Sequence, residues 1–178
     1  MPEILADVGL SPRESVLTCV MTMNRLLWPC SERGMPDWIR STALGDILAE
    51  DFDSLTEASL YRNLDAVYPK IKEIESRLAD RERDLFNLDQ TVFLYDLTST
   101  YFEGQCEKNW KAKKGYSRDK RFDCDQVVVG LVVNRDGFPL CHEVFPGNTQ
   151  DRKTLPHMLS LLDARVGFKP GQTVVVDR

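Results

Sequence analysis

The sequence holds 178 residues with a net charge of −5, 42% hydrophobic side chains and five cysteines. That length allows one domain or a small pair, and the apolar content is enough for a packed core. The chain has no apolar run long enough to span a bilayer and no basic leader at its start, so we expect a cytoplasmic protein without a membrane partner. An odd number of cysteines without C-x-x-C spacing indicates neither a disulfide framework nor a zinc knuckle.

Charge is divided unevenly along the chain. Residues 1–90 hold 17 acidic and 10 basic side chains, whereas residues 91–178 hold 11 acidic and 13 basic ones. An acidic surface repels the phosphates of DNA. The first half is therefore a poor DNA-binding surface.

Residues 1–88 predict a helical region. The SPRE sequence at residues 11–14 is a capping box with proline at the first helical position, and it predicts a helix to about Leu27. Further helices are expected from Asp37 to about Ala49 and, capped by Ser54 or Thr56, to about Val67. Heptad-like apolar spacing predicts another over 71–85.

The second and third of these helices invite a helix-turn-helix interpretation, in which Ser59, Tyr61, Arg62 and Asn63 face a DNA groove. Five acidic side chains crowd the same stretch, namely Asp46, Glu50, Asp51, Asp53 and Glu57. We therefore favour a helical bundle that packs on the second domain over an element that reads DNA sequence.

A strand that carries one acid organises the second half. Residues 91–104 form an aromatic and β-branched run with Asp96 in its middle, and residues 173–178 form an apolar strand that ends in Asp177. A buried carboxylate must be paired, hydrogen-bonded or metal-bound to offset its desolvation. Two strand-borne aspartates in one α/β domain predict a divalent-metal site. The alternative is that Asp96 starts a turn and Asp177 caps a strand.

A basic loop follows the first strand. Residues 107–121 hold seven basic and two acidic side chains, with two aromatic residues among them. Basic and aromatic groups together suit a nucleic-acid backbone with stackable bases, whereas the alternative is a flexible, solvated loop. The candidate DNA contacts are Lys108, Trp110, Lys111, Lys113, Lys114, Tyr116, Arg118 and Arg121.

The remaining elements complete an α/β pattern. Asp136 and Gly137 predict a tight turn between strands at 127–134 and 138–145. A helix from about Arg152 to Arg165 then leads to the final strand, which gives the order β-β-β-α-β. We expect a helical region over 1–88 and an α/β domain over 89–178.

Four motifs in this second half resemble one family. They are YDLTSTYFEG at residues 95–104, KGYSRD at 114–119, QVVVGLVV at 126–133 and PGNT at 146–149. In this order they resemble the DDE transposases of bacterial insertion sequences, in the branch with a ribonuclease-H-like catalytic domain and a Tyr/Arg/Glu/Lys signature. The resemblance is strong over residues 85–178 and looser before them. Lys120 and Phe122 depart from it, since the family has a histidine and a proline there.

The resemblance implies DNA transposition, by metal-dependent phosphodiester hydrolysis and strand transfer at insertion-sequence ends. Asp96 and Asp177 would be the catalytic ligands of two magnesium ions, which manganese can replace. They would meet because the first and fourth strands of a ribonuclease-H-like fold are neighbours. Asn148, Thr149 and Asp151 match the family's active-site loop. Double-stranded DNA would be the partner, with self-association during transposition.

Rival interpretations stay open. A strand ending at Asp96, Leu97 and Thr98 partly mimics a phosphatase with an aspartyl nucleophile, although such enzymes normally have a second acid at the position of Thr98. The family's third acid, a glutamate, is expected beyond Asp177, so the ribonuclease-H-like domain would be truncated after its fourth strand. We therefore expect an inactive fragment, or a non-enzymatic DNA-binding relic, with apolar surface exposed on the last strand.

Overall fold

The computed structural model describes residues 1–86, 88, 91–117, 120–167 and 169–176, and of Asp151 only the backbone. The chain divides into two compact units, residues 1–74 and 75–178. Helices come first and a four-stranded mixed sheet follows, so the predicted α/β class is confirmed. None of the described helices combines the length and the apolar composition that crossing a membrane requires.

Two helices of the first half begin at side-chain caps. Ser11 and Glu14 form the predicted capping box, because each side chain bonds the backbone N–H of the other. Thr56 caps the fifth helix by accepting from the N–H of Ser59. The bounds are α1 Pro2–Asp7, α2 Pro12–Leu27, α3 Met35–Arg40, α4 Leu44–Leu48, α5 Glu57–Val67 and α6 Ile71–Phe86.

The single helix predicted from Asp37 to Ala49 is wrong, since two helices occupy that stretch. Thr42 lies between them, where its hydroxyl donates to the carbonyl of Ile39 at 2.7 Å and accepts from the N–H of Leu44 at 3.3 Å. These local bonds compete with the helical backbone pattern and separate α3 from α4.

In the less favoured helix-turn-helix interpretation Asn63 would face a DNA groove, and its burial contradicts that placement. Its side chain is only 3% exposed, and its amide donates to the hydroxyl of Thr18 on α2 at 3.0 Å. Asn63 and Leu60 are the buried residues of α5, so this face of the helix belongs to the core of the first unit. Tyr61 and Arg62 remain exposed. The favoured alternative, a packed helical bundle, fits this burial.

The second unit is built on a sheet with the order β3-β2-β1-β4. β1 pairs antiparallel with β2, β2 pairs antiparallel with β3, and β4 pairs parallel with β1. The bounds are β1 Val92–Tyr101, β2 Gln126–Asn134, β3 Pro139–Pro146 and β4 Thr173–Val176, with α7 at Leu155–Val166 between the last two. The predicted order β-β-β-α-β and the predicted adjacency of the first and fourth strands are confirmed.

The two faces of the sheet differ in burial. Phe93, Tyr95 and Leu97 of β1 pack in one core with Met158 and Leu162 of α7. The side chains between them on β1 point to the opposite face, because successive strand residues alternate. That opposite face carries the exposed apolar side chains of Leu94, Leu131 and Val175. Val176 is exposed as well, on the other face, so apolar surface on the last strand is present as expected.

The edge strand β3 is bonded to α6 and α7. The carboxylate of Glu75 accepts from the backbone N–H of His142 at 3.1 Å, and it also bonds the His142 ring and the guanidinium of Arg165. Ala79, one turn further along α6, is buried in the core of the sheet. The two units divide after Ile74, inside α6, because the helix packs on the sheet from Glu75 onwards.

Candidate active site and nucleic-acid interface

Asp96 lies in the middle of β1, on the face opposite α7, and its carboxylate is exposed. Its Oδ1 accepts from the backbone N–H of Leu97 at 2.7 Å, and its cross-strand neighbour is Leu131. The expectation of a buried carboxylate is wrong, because the alternation of the strand turns Tyr95 and Leu97 into the core and Asp96 out of it.

β1 continues for five residues beyond Asp96, as far as Tyr101. Thr98 and Thr100 lie within this continuation and pair with β2. The phosphatase alternative requires a strand that ends at the aspartate, so the structure removes its main argument.

The fourth strand approaches β1 in register. The last described pair of this parallel ladder is Tyr95 with Val176. In the sequence Asp96 follows Tyr95, and Asp177 follows Val176. Asp177 lies outside the described residues, so its role stays a prediction.

The donor chemistry of Asp96 fits a hard divalent cation, because magnesium takes oxygen ligands and is often held by one or two carboxylates. Within the described ranges no group of three or more His, Cys, Asp or Glu side chains could hold a metal ion. A magnesium site at this position therefore depends on Asp96 together with Asp177.

The basic loop is docked on the sheet and is not a freely moving connection. Lys113 and Gln126 exchange two backbone hydrogen bonds of 3.1 and 3.0 Å, and the N–H of Gly147 donates to the carbonyl of Lys111 at 3.0 Å. The amide of Gln126, which is 1% exposed, donates to the carbonyls of Tyr116 and Gly147 at 2.9 Å each. The solvated-loop alternative does not describe residues 111–116.

Two glycines make this docking sterically feasible. A Cβ atom on Gly115 would overlap the carbonyl oxygen of Gly147 and would lie 2.7 Å from the side-chain nitrogen of Gln126. A Cβ atom on Gly147 would overlap the carbonyl oxygens of Gln126 and Lys113. The loop backbone thus lies directly against the end of the sheet formed by β2 and β3.

The basic side chains of the loop fall into two groups. Lys111 is half-buried and donates to the carbonyl of Val144 at 2.6 Å and to Glu143 at 3.5 Å. Arg121 makes a two-pronged ion pair with Asp123 and lies over the ring of Tyr101. That hydrogen-bonded pairing lowers the pKa of Asp123 to about 2. Lys108, Lys113 and Lys114 are exposed, while Arg118 lies outside the described residues.

The predicted active-site loop lies beside the basic loop. Asn148 is exposed and Thr149 is half-buried, with its N–H donating to the carbonyl of Pro146 at 2.9 Å. Asp151 begins a short 3-10 turn, and its side chain is outside the described part of the chain. The structure brings Asn148 and Thr149 close to the docked loop through Gly147.

The anchoring residues Gln126, Gly115 and Gly147 lie within the four motifs, but motif analysis assigns them no role. Their contacts join positions 10 or more residues apart in the chain, so no local pattern predicts them. The only available signal was that two glycines stand next to the basic loop and the end of the second hairpin strand.

Neither the protein-family models, nor the curated proteins, nor the solved structures searched gave a match to this chain. The geometry of the second unit places an exposed strand carboxylate and a docked basic loop on one sheet.

Proposed function

We propose that this chain carries a DNA phosphodiester-transfer site of the DDE transposase type on a ribonuclease-H-like arrangement of strands. The observation that carries the proposal is the parallel pairing of Tyr95 with Val176, directly before the two aspartates in the sequence. Continuation of that register by one residue would set the carboxylates of Asp96 and Asp177 on neighbouring strands, about 5 Å apart at the backbone.

The strand topology supports the same proposal. Three antiparallel strands, a helix and a fourth strand parallel to the first form the arrangement that the motif resemblance implies. A fold alone hosts many functions, so the aspartate positions carry more weight than the topology.

The chemistry assigned to the site is hydrolysis and transfer of DNA phosphodiesters. Two bound magnesium or manganese ions would supply activation of the attacking oxygen and stabilisation of the leaving oxygen. Asp96 contributes an exposed carboxyl group from a strand flanked on both sides by paired strands, which fixes its position. The exposed lysines of the docked loop, Lys108, Lys113 and Lys114, would neutralise DNA phosphates near the carboxylates.

Metal binding tests this proposal directly. In a titration of the wild-type chain with Mn²⁺, followed by the electron paramagnetic resonance signal of the unbound ion, we expect saturable binding that Mg²⁺ reverses. Asp96→Asn should weaken Mn²⁺ binding by about tenfold or more, because it removes a charged oxygen ligand while keeping the shape of the side chain. Asp177→Asn should have the same effect.

The matched control is Asp136→Asn, an equal change of charge at an exposed position in the turn between β2 and β3. It should leave Mn²⁺ binding unchanged. Equal Mn²⁺ affinity in wild type and Asp96→Asn would overturn the proposal. It would leave DNA binding without cleavage as the surviving function of the basic loop.

A further inference from the structure

Two large aromatic side chains of the docked loop are turned into solvent. Trp110 is 68% exposed and Tyr116 is 82% exposed. Aromatic rings stabilise a fold mainly by being buried, so neither ring contributes much to the stability of this chain. Their exposure leaves ring surface available to a ligand.

The backbone beneath these rings is held in place. The carbonyl of Tyr116 accepts a hydrogen bond from the buried amide of Gln126. The backbone of Lys113 bonds Gln126 at the start of β2, and the carbonyl of Lys111 accepts from Gly147, which directly follows β3. The ammonium group of Lys111 lies 5.5 Å from the centre of the Trp110 ring and is itself fixed by the carbonyl of Val144. Binding through these rings therefore requires little ordering of the loop, which favours affinity.

The charge around the rings selects an anionic ligand. Between residues 108 and 117 the sequence holds four lysines and no acid. Three of these lysines are exposed, at positions 108, 113 and 114. A ligand that matches the surface carries both negative charge and flat apolar rings.

We propose that Lys108, Trp110, Lys113, Lys114 and Tyr116 form a stacking platform that binds single-stranded DNA, with unpaired bases on the two rings and phosphates on the lysines. The assignment of the nucleic acid as DNA rests on the proposed function. The inference adds the form of the DNA, since motif analysis predicts a double-stranded partner.

Single-stranded DNA fits the platform better than a duplex does. Every base has a flat face that stacks on an aromatic side chain, and such stacking is tolerant of sequence. In a duplex those faces are covered by neighbouring base pairs, and exposing one costs a few kcal/mol of unstacking and unpairing. The platform would therefore hold DNA that has been opened, next to the strand that carries Asp96.

The test is a comparison of one fluorescent oligonucleotide without self-complementarity, alone and annealed to its complement, by anisotropy titration with the wild-type chain. We expect at least about tenfold tighter binding of the single strand. Trp110→Ala and Tyr116→Ala should each weaken single-strand binding by about five- to tenfold or more, since the ring that holds one stacked base is removed. Trp110→Phe should keep most of the affinity because it keeps a ring.

The matched control is Trp28→Ala. Trp28 is 66% exposed, nearly the same as Trp110, but it follows α2 in the first unit. It should leave single-strand binding unchanged. Salt adds a second readout: Trp110→Ala should lower affinity without changing the slope of log affinity against log salt, because the slope counts neutralised phosphates and not stacking.

Equal binding of single strand and duplex would overturn the stacking platform, as would equal losses from Trp28→Ala and Trp110→Ala. Failure to bind either DNA form would overturn it too, and binding of a protein ligand through the same rings would then identify the other class of partner. None of these results alters the Mn²⁺ titration at Asp96, so failure of the platform and failure of the proposed function can be told apart.

Discussion

Gly115 and Gly147 lie so close together that a methyl group on the first would overlap the carbonyl oxygen of the second. One glycine belongs to the basic loop and the other directly follows β3. This close backbone contact holds the basic loop against the end of the sheet.

Gly115→Ala should therefore undock the basic loop. Forcing a methyl group into this contact destabilises a packed site by about 1–3 kcal/mol, unless the loop moves away. We expect weaker DNA binding and faster tryptic cleavage within residues 108–114, measured by anisotropy and mass spectrometry. Gly104→Ala is the control, since nothing lies within 4 Å of a Cβ there. Equal cleavage rates in the two variants would contradict a docked loop.

Gln126→Glu should have a similar effect through hydrogen bonding. The buried amide donates to the carbonyls of Tyr116 and Gly147, and a carboxylate there would place oxygen against both. Losing a buried donor costs about 1–3 kcal/mol. Urea unfolding of Gln126→Glu should show a loss of stability in that range, while Gln105→Glu, at an exposed loop position, should not. Identical midpoints would show that the amide does not hold the loop.

Local features of the sequence predicted much of this fold. The capping box at residues 11–14 placed the start of α2, and the Asp136-Gly137 pair placed the turn between β2 and β3. Such signals act over a few residues, and their physical cause is present in the sequence itself. These signals gave the order of the elements along the chain, whereas the pairing of the first strand with the fourth was expected from the motif resemblance alone.

Long-range contacts were not predictable in the same way. The alternation of β1 shows that Asp96 and Tyr95 lie on opposite faces, but not which face α7 covers, so the exposure of Asp96 emerged only from the packing. The helix-turn-helix alternative could place Asn63 at a DNA-facing surface because helical spacing alone does not reveal that Thr18 of α2 bonds it. The docking of the basic loop depends likewise on contacts between distant residues.

Stability of the second unit should depend on pH through His142. Its hydrogen bond to Glu75 raises the pKa of the imidazole above its usual value, and the opposing effects are burial and the charge of Arg165. A raised pKa in the folded state stabilises the fold below the unfolded pKa, and this contribution is lost as pH rises through the folded pKa. Urea midpoints measured from about pH 5 to about pH 9 should therefore fall as the imidazole loses its proton.

Glu75→Gln should abolish that part of the pH dependence, because the charged partner of His142 is gone. Asp136→Asn removes the same charge at an exposed turn and should leave the pH dependence of stability unchanged. A pH profile that is unchanged in Glu75→Gln would show that the bond between α6 and β3 does not link His142 to stability.

The lysines of the basic loop should differ in their effect on the salt dependence of DNA binding, because some are exposed and one is bonded to the protein. Lys113 and Lys114 are exposed, so replacing both with glutamine should weaken DNA binding and reduce the slope of log affinity against log salt by about 0.7 for each phosphate of a single strand that is no longer neutralised. Lys111 is only 23% exposed and donates to the carbonyl of Val144, so Lys111→Gln should loosen the loop and leave that slope nearly unchanged. Salt titrations of the two variants by fluorescence anisotropy make the comparison. If the slope fell for Lys111→Gln and stayed constant for the double variant, the phosphates would contact Lys111 and not Lys113 or Lys114. That result would contradict both the DNA interface and the structural role of Lys111.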